Sequence, residues 1–360
     1  MKVGVLTFHG ADNYGAVLQA YALKTHIQGL GHDVSVIDYS PAYISEEYRW
    51  LRFRYWFSPN PKKLFKRLLR EPFLVAKRRK RHLAFNQFRE KELSLSPKTR
   101  NNLSFGFDCI VIGSDQIWSP EHTGGDFDSI YFGEGFACKT IAYAASSKLS
   151  KISKLQEERL KVLLTNLYAI SVREKSLLSL FQPLTQKVIH CVLDPTLIIN
   201  KSFFSNLSLK PKYNFDYVCV YEITPYAGTK VIAQRLADQI NAKVIEISSH
   251  IRDTKDTSII MTASIEEFLG LLLNARCVIT TSFHGLALSI KNNVDFYAVK
   301  VGNNNDNRLL NLLKICELDN RFVSMESNPK FEHINYKKTN DILDNEIFRS
   351  KYFLSNALDK

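Results

Sequence analysis

Paired cysteines, metal-binding clusters and cofactor-binding loops are all missing from this chain of 360 residues. Its six cysteines are widely spaced and include no CxxC pair, which excludes a zinc ribbon and a disulfide framework. Most of them lie in apolar runs, so we expect reduced thiols in the core. No histidine, cysteine or carboxylate cluster has metal-ligand spacing and no glycine loop matches a P-loop, so neither a metal nor a cofactor is expected.

Long apolar segments are absent as well. No run approaches the ~20 residues that a membrane-spanning helix needs. The first ten residues, MKVGVLTFHG, lead directly into a strand-like run and do not resemble a signal peptide. We therefore expect a cytoplasmic protein, with a peripheral position at the inner membrane face as the alternative.

The chain does contain an alternation of short apolar strands and amphipathic helices. A strand at 2–8, a helix at 16–29 and a strand at 33–38 form a Rossmann-like start, and a similar order begins with a strand at 217–222. The loop HGADNYGA between the first strand and helix lacks GxGxxG spacing, so a dinucleotide site is only weakly indicated.

Length and pattern together predict an α/β protein with two Rossmann-like domains facing a cleft. The first domain is expected at 1–190, with a basic helical insertion at about 43–95. The second is expected at 191–340. A C-terminal helix at 341–360 is expected to pack back on the first domain.

One turn in the second half stands out as the place where function is decided. A capped amphipathic helix is predicted from 264, and a short strand at 276–280 passes through a turn at 281–285 into the next helix. A helix that begins beyond a parallel strand presents amide donors to the crevice where open α/β sheets bind ligands. His284 lies in this turn.

The net charge of +12 is concentrated in the insertion. Fifteen lysines and arginines, but only two acidic residues, lie between Arg49 and Lys91. Aromatic residues alternate with these bases, and Pro72 is expected to break or kink the helix. A solvated charged helix and a surface for an anionic membrane are equally compatible with this pattern. No DNA- or RNA-binding module surrounds it, so nucleic acid is not expected as a partner.

Six motifs occur in the order typical of one family: HGADNYGAVLQAYAL, VIGSDQIW, IAYAAS, SVREKSLLSLF, VLDPTLI and ITTSFHGLALSI. The chain thereby resembles the polysaccharide pyruvyl transferase family over nearly its whole length. The resemblance implies a GT-B-like fold with the acceptor side in the first domain and the donor side in the second. It also implies transfer of an enolpyruvyl unit from phosphoenolpyruvate to two hydroxyls of a saccharide, which is lipid-linked for some members.

The resemblance assigns catalytic roles to His284 and Arg173. Ketal formation requires proton transfers, which suit an imidazole, although a helix-capping histidine is the alternative. A guanidinium suits bidentate capture of phosphate or carboxylate, although a salt bridge from Arg173 to Glu174 is the alternative. Ser282 stands where some members carry a second arginine, so the donor must be held by Arg173, backbone amides or another base.

Substrate binding is expected at Asn13, Asp115, Gln116, Ser282 and Gly285. Asp115 and Gln116 end the strand of the GSDQIW motif and are expected to orient acceptor hydroxyls. Trp118 offers either a face to a sugar ring or a core side chain. Asp194 precedes a proline and is expected chiefly to cap the following turn.

Three functions remain open on this basis. The first is pyruvyl transfer to a sugar of a bacterial surface polysaccharide or its precursor. The second is a GT-B-type glycosyl transfer from a nucleotide sugar, since the same kind of turn also binds a nucleoside diphosphate and Ser282 lacks the expected charge. The third is a non-catalytic basic protein that binds membranes.

Overall fold

The computed structural model describes residues 1–45, 61–97, 106–303 and 305–359. The side chains of Ser45, residues 61–69 and Asn305 lie outside this description. The aromatic residues at 48–57, which belong to the predicted insertion, lie outside it too. No helix in the described part of the chain is both long and apolar enough to span a membrane.

The first half forms a parallel six-stranded sheet with the strand order β2-β1-β3-β4-β5-β6. Its strands and helices are β1 (Lys2–Leu6), α1 (Tyr14–Gly29), β2 (Asp33–Val36), α2 (Ala42–Ser45), α3 (Pro61–Glu92), β3 (Cys109–Ile112), β4 (Lys139–Ala145), α4 (Lys154–Leu163), β5 (Ala169–Val172), α5 (Lys175–Phe181) and β6 (Ile189–Cys191).

The second half forms another parallel six-stranded sheet, with the order β12-β11-β10-β7-β8-β9. Its elements are α6 (Pro195–Ile198), α7 (Lys201–Leu207), β7 (Tyr217–Glu222), α8 (Ala227–Gln239), β8 (Lys243–Ser248), β9 (Ile259–Ile260), α9 (Ile265–Leu273), β10 (Cys277–Thr280), α10 (Phe283–Lys291), β11 (Phe296–Val299), α11 (Asn305–Ile315), β12 (Phe322–Val323) and α12 (Tyr336–Asp359).

The central strands are short apolar runs that helices cover on both faces. All residues of β3, β7 and β10 are buried, as expected for parallel strands enclosed between helix layers. The predicted pair of Rossmann-like domains is therefore confirmed. Both sheets point the carboxyl ends of their central strands toward helix starts, and these turns carry the polar residues described below.

The two domains meet beside the start of α1. The ring of Tyr14 stacks on Phe268 of α9, with 4.2 Å between the centroids. Its hydroxyl donates to the carbonyl of Ala263 at 2.8 Å, and the side chain is fully buried. Stacked aromatic rings with a satisfied hydroxyl make a well-defined contact, so the turn before α1 is held against the second domain.

The predicted basic insertion contains the long helix α3, in which two arginines are buried. Arg81 donates to the carbonyls of Ser248 at 2.9 Å and Asp12 at 3.0 Å. Arg89 donates to the carbonyl of His9 at 2.9 Å. These bonds join the loop after β1 to the end of β8, so part of the basic charge serves the fold.

A break at Pro72 is wrong, because α3 is helical on both sides of this residue, whereas the alternative of a kink stays a prediction. A proline inside a helix cannot donate the hydrogen bond to the preceding turn. Pro72 is exposed, so water can replace the missing donor.

The last helix, α12, follows the second sheet in sequence but contacts strands of the first. The hydroxyl of Ser350 accepts the amide of Leu193 at 2.9 Å. The ring of Phe353 lies 5.0 Å from that of His190 and 6.4 Å from that of Tyr143. The C-terminal helix is thus a second connection between the two halves.

Candidate active site

Asp194 follows β6 and contacts polar groups of both domains. One carboxylate oxygen, Oδ1, caps α6 by accepting the amide of Thr196 at 3.0 Å and its hydroxyl at 2.7 Å. The other, Oδ2, lies 2.9 Å from Nη1 of Arg173 and 3.1 Å from Oγ of Ser114. The expected capping role is therefore present, but it uses only half of the carboxylate.

Arg173 ends β5 and is enclosed by carboxylates. Its Nε donates to Glu174 at 2.9 Å and its Nη2 to Ser146 at 2.7 Å, in addition to the bond from Nη1 to Asp194. The guanidinium also lies over the ring of Phe283, 4.1 Å from its centroid. Burial by itself would lower the pKa of Arg173, but Glu174 and Asp194 outweigh burial and raise it, so the side chain remains a cation.

This enclosure changes what Arg173 can do. The residue is 3% exposed, and bonds to protein groups occupy donors on all three of its nitrogens. Bidentate capture of a phosphate would require it to leave two buried carboxylates without a counter-ion, which costs several kcal/mol. The geometry thus matches the salt-bridge alternative to Glu174 and extends it to Asp194.

His284 approaches Asp194 from the second domain. Ser282 caps α10 by accepting the amide of Gly285 at 3.3 Å, which sets the start of the helix and directs the next turn toward the first domain. Nε2 of His284 lies 3.6 Å from Oδ2 of Asp194, an ion-pair distance that is too long for a hydrogen bond. Within the described residues, this buried nitrogen has no hydrogen-bond partner.

The other side of the imidazole lies against the start of α1. A Cβ atom added to Gly15 would be 2.2 Å from Nδ1 of His284 and 2.4 Å from its Cγ. Only glycine leaves room for the ring at this position. The histidine therefore sits where a turn of the first domain and a turn of the second domain meet.

The charge state of Asp194 follows from these contacts. Burial opposes ionisation, but the charges of His284 and Arg173 and the amide of Thr196 outweigh it and hold the pKa of Asp194 well below its usual range. The carboxylate is consequently ionised at neutral pH. An anion fixed beside Nε2 orients the imidazole ring.

Asp115 and Gln116 lie at the end of β3, on the first-domain side. The Asp115 carboxylate accepts a hydrogen bond from the amide of Gln116 at 2.9 Å. The backbone of Asp115 has a φ of +76°, which changes the direction of the chain after the strand. Gln116 is 8% exposed, and its buried Nε2 has no hydrogen-bond partner in the described part of the chain.

Trp118 belongs to the core of the first domain. It is fully buried, it stacks on Phe132 with 4.8 Å between the ring centroids, and its Nε1 donates to the carbonyl of Tyr131 at 2.8 Å. The interpretation of this tryptophan as a platform for a sugar ring is therefore wrong, because no face of the ring is open.

Three of the residues expected to bind substrate build the turns themselves. Asn13 caps α1 by accepting the amides of Gly15 at 2.9 Å and Ala16 at 3.3 Å. Ser282 is the matching cap of α10. A Cβ on Gly285 would lie 2.5 Å from the hydroxyl of Thr280, so glycine is needed there for close packing.

Sequence reasoning missed Arg308, which lies on α11. Burial and then repulsion by Arg173 lower the pKa of Arg308 to about 10, while Glu174 and Asp115 act in the opposite direction. The guanidinium is thus close enough to interact electrostatically with Arg173, Glu174 and Asp115. In the sequence it is a single arginine in the polar run NNNDNRLL, and no local signal connects that run to the distant strand ends.

Comparison with known proteins gives one strong match. The model of the polysaccharide pyruvyl transferase family matches residues 13–303. No functionally curated protein matches the sequence. Among solved structures, the chain is similar to spinosyn rhamnosyltransferase SpnG, with 11% identity, a TM-score of 0.47 and 100% of each chain covered.

It is also similar to UDP-GlcNAc 2-epimerase from Neisseria meningitidis bound to UDP-GlcNAc, with 7% identity and a TM-score of 0.43 over 99% of this chain and 94% of that one. Structural similarities this distant carry no argument about activity. The family match, by contrast, spans most of the chain and includes the turns that bear Asn13, Arg173, Asp194 and His284. This protein therefore belongs to the polysaccharide pyruvyl transferase family.

Proposed function

We propose that this transferase moves an enolpyruvyl unit from phosphoenolpyruvate onto two hydroxyls of a saccharide, forming a pyruvate ketal on a bacterial surface polysaccharide or its precursor. Membership of the family supports the reaction class. The observation that carries the proposal is the place of His284, which the second domain inserts between Asp194 and Gly15 of the first.

The reaction needs two proton movements. One hydroxyl proton ends on C3 of phosphoenolpyruvate, which turns the methylene into a methyl group and makes C2 oxocarbenium-like. Two acceptor oxygens bond to C2 as its bond to the phosphate oxygen breaks. The second hydroxyl proton leaves with inorganic phosphate, so atoms and charge balance.

His284 is assigned the proton transfers. Asp194 lies beside Nε2 and orients the ring, so that the imidazole can exchange protons with the reactants. Arg173 does not contact the reactants in this scheme. It keeps Asp194 ionised and in place through the bond from Nη1, and is therefore a positioning residue.

The donor carries a phosphate and a carboxylate, so it needs a cation that Ser282 cannot supply. Arg308 is the group we assign to this task, because its charge interacts with those of Arg173, Glu174 and Asp115, and burial disfavours it there. A bound dianion would offset both the energetic cost of burying the Arg308 cation and its repulsion by Arg173. On the acceptor side, Asp115 and the amide of Gln116 are assigned to the sugar hydroxyls.

The first experiment measures thermal stability of the full chain against ligands, since binding to the native state raises Tm by mass action. Phosphoenolpyruvate is titrated in parallel with UDP-, GDP- and CMP-sugars. We expect a saturable rise in Tm with phosphoenolpyruvate that is lost in Arg308→Gln. A rise with a nucleotide sugar alone would refute the proposal in favour of glycosyl transfer.

A second experiment tests the histidine in a phosphate-release assay with saccharide acceptors. His284→Ala should lower turnover by about 100- to 10,000-fold, the usual size of a general acid/base contribution. The matched control is His333→Ala, an exposed histidine in the same half of the chain. Turnover of His284→Ala at the wild-type rate would remove this residue from the mechanism.

We also propose that the exposed face of α3 contacts an anionic membrane, which would bring the enzyme to a lipid-linked acceptor. Phe73 and Leu83 are 74% and 54% exposed, and the neighbouring Arg79 and Lys80 are exposed as well. Apolar side chains beside basic ones suit the headgroup region of an anionic leaflet.

Vesicle binding tests this surface without disturbing the buried arginines of the same helix. Arg79→Glu/Lys80→Glu should abolish sedimentation with vesicles that contain phosphatidylglycerol while keeping turnover on soluble acceptors. The control Lys151→Glu/Lys154→Glu makes the same charge change at two exposed positions, one before α4 and one at its first residue. Equal binding by both variants would contradict the proposed membrane surface.

A further inference from the structure

A polar pocket lies at the end of α10 opposite to His284. Lys201 of α7, Lys291 at the last position of α10 and Lys351 of α12 line a cavity of about 310 Å³. This volume is at the lower end of the range for small-molecule sites. We call it the lysine pocket.

The positive charge in this pocket is not balanced. Within the described residues, Lys201, Lys291 and Lys351 make neither an ion pair nor a hydrogen bond. Asp344, the single carboxylate among the lining residues, is exposed. Burial, followed by repulsion from Lys351 and Lys201, lowers the pKa of Lys291 to about 8 despite the attraction of Asp344.

The remaining lining combines apolar side chains with amides. Asn200, Asn293 and Asn340 all face the cavity. A lysine at a helix C-terminus interacts favourably with the helix dipole, which accounts for Lys291 by itself. It does not account for three ammonium groups from three helices around a polar cavity.

We propose that the lysine pocket binds a small phosphate-bearing anion with at least two negative charges. Ammonium groups bind phosphate as point charges and need no planar fork, unlike the arginine–carboxylate pair at the active site. A bound dianion would neutralise the mutual repulsion of the lysines and would connect α7, α10 and α12. The pocket is separate from the proposed donor site, because the two lie at opposite ends of α10.

The test uses inorganic pyrophosphate as the probe and the full chain as the receptor, with Tm and calorimetric Kd as the measurements. Wild-type protein should show a saturable rise in Tm, and Lys291→Gln/Lys351→Gln should bind at least about tenfold more weakly. Lys337→Gln is the matched control, since this exposed lysine lies on α12 outside the pocket. It should bind as the wild type does.

Two comparisons keep the result specific. Sulfate at equal ionic strength distinguishes binding from screening of surface charge. Phosphoenolpyruvate should still raise Tm in the double variant, because the donor site is distinct. Absence of a pyrophosphate response in the wild type, an unchanged response in the double variant, or joint loss of both ligand responses in that variant would each overturn the proposal.

Discussion

The contact between Gly15 and His284 shows how a single residue in one domain limits the site that the other domain completes. His284 is the second residue of α10, and its ring occupies the space that a side chain at position 15 would need. The glycine at the start of α1 is therefore required by packing against the histidine, although it lies outside any nucleotide-binding glycine pattern.

Gly15→Ala should move the imidazole away from Asp194 and lower kcat/KM by about 100-fold, because a displacement of about 1 Å in a catalytic group has effects of this size. The matched control is Gly29→Ala on the same helix, where an added Cβ meets nothing within 4 Å. Circular dichroism should show both variants folded. Wild-type turnover of Gly15→Ala would show that catalysis does not depend on this position of His284.

Asp194 predicts a specific dependence of stability on pH. Its pKa is depressed in the folded protein by His284 and Arg173 against the effect of burial, so the unfolded chain takes up the proton first as the solution is acidified. The stabilisation that the ionised Asp194 carboxylate provides is present above about pH 4, near the pKa of an unfolded aspartate. It is lost as the pH falls through the lower pKa that Asp194 has in the folded protein. The free energy of unfolding of the wild type, relative to Asp194→Asn, should therefore be constant near neutral pH and decrease below about pH 4. A difference that stays constant in acid would contradict the ion-pair network.

At the scale of elements, basic residues that are adjacent in the sequence of α3 have different environments in the structure. Its run KRRKR contains exposed Arg79 and Lys80 next to buried Arg81. The helical period directs neighbouring residues to different faces, so Arg81 joins the two domains by hydrogen bonds while Arg79 and Lys80 are available to solvent. Composition alone cannot make that distinction.

Arg81→Gln should lower the free energy of unfolding by about 2–4 kcal/mol, because buried carbonyls of Ser248 and Asp12 lose charged donors. The cation–π contact with Tyr14, at 5.1 Å, is lost as well. Arg79→Gln should change stability by less than about 0.5 kcal/mol. Urea denaturation measures both, and equal losses would show that Arg81 is not a tie between domains.

At the scale of the whole molecule, α12 returns from the second sheet to the first. Phe353→Ala should cost about 3–5 kcal/mol, since this ring is 8% exposed and packs on Tyr143 and His190. Phe348→Ala on the same helix should cost little, because that ring is 70% exposed. Thermal unfolding of the two variants provides the comparison. Similar losses in both would mean that the end of α12 does not connect the domains.

The extent to which the site could be predicted differs between its residues for a physical reason. Asp194 was expected as a cap, because capping is local and Thr196 lies two positions away. Its second role depends on Arg173 and His284, which only folding brings close. Arg173 was expected to capture a ligand, but its donors are used by Glu174 and Asp194, and Arg308 gave no local signal at all.

The sequence by itself determined the parts of this protein that depend on neighbouring residues: the order of strands and helices, the caps at Ser264 and Asp194, and the two-domain α/β class. Tertiary structure alone decided which charged groups meet, namely His284 with Asp194 across the cleft, the buried ties of Arg81, and the three lysines around one pocket. Periodicity and capping act over a few residues and can be read along the chain. Electrostatic contacts between distant segments depend on how two sheets and their helices pack, which no local pattern records.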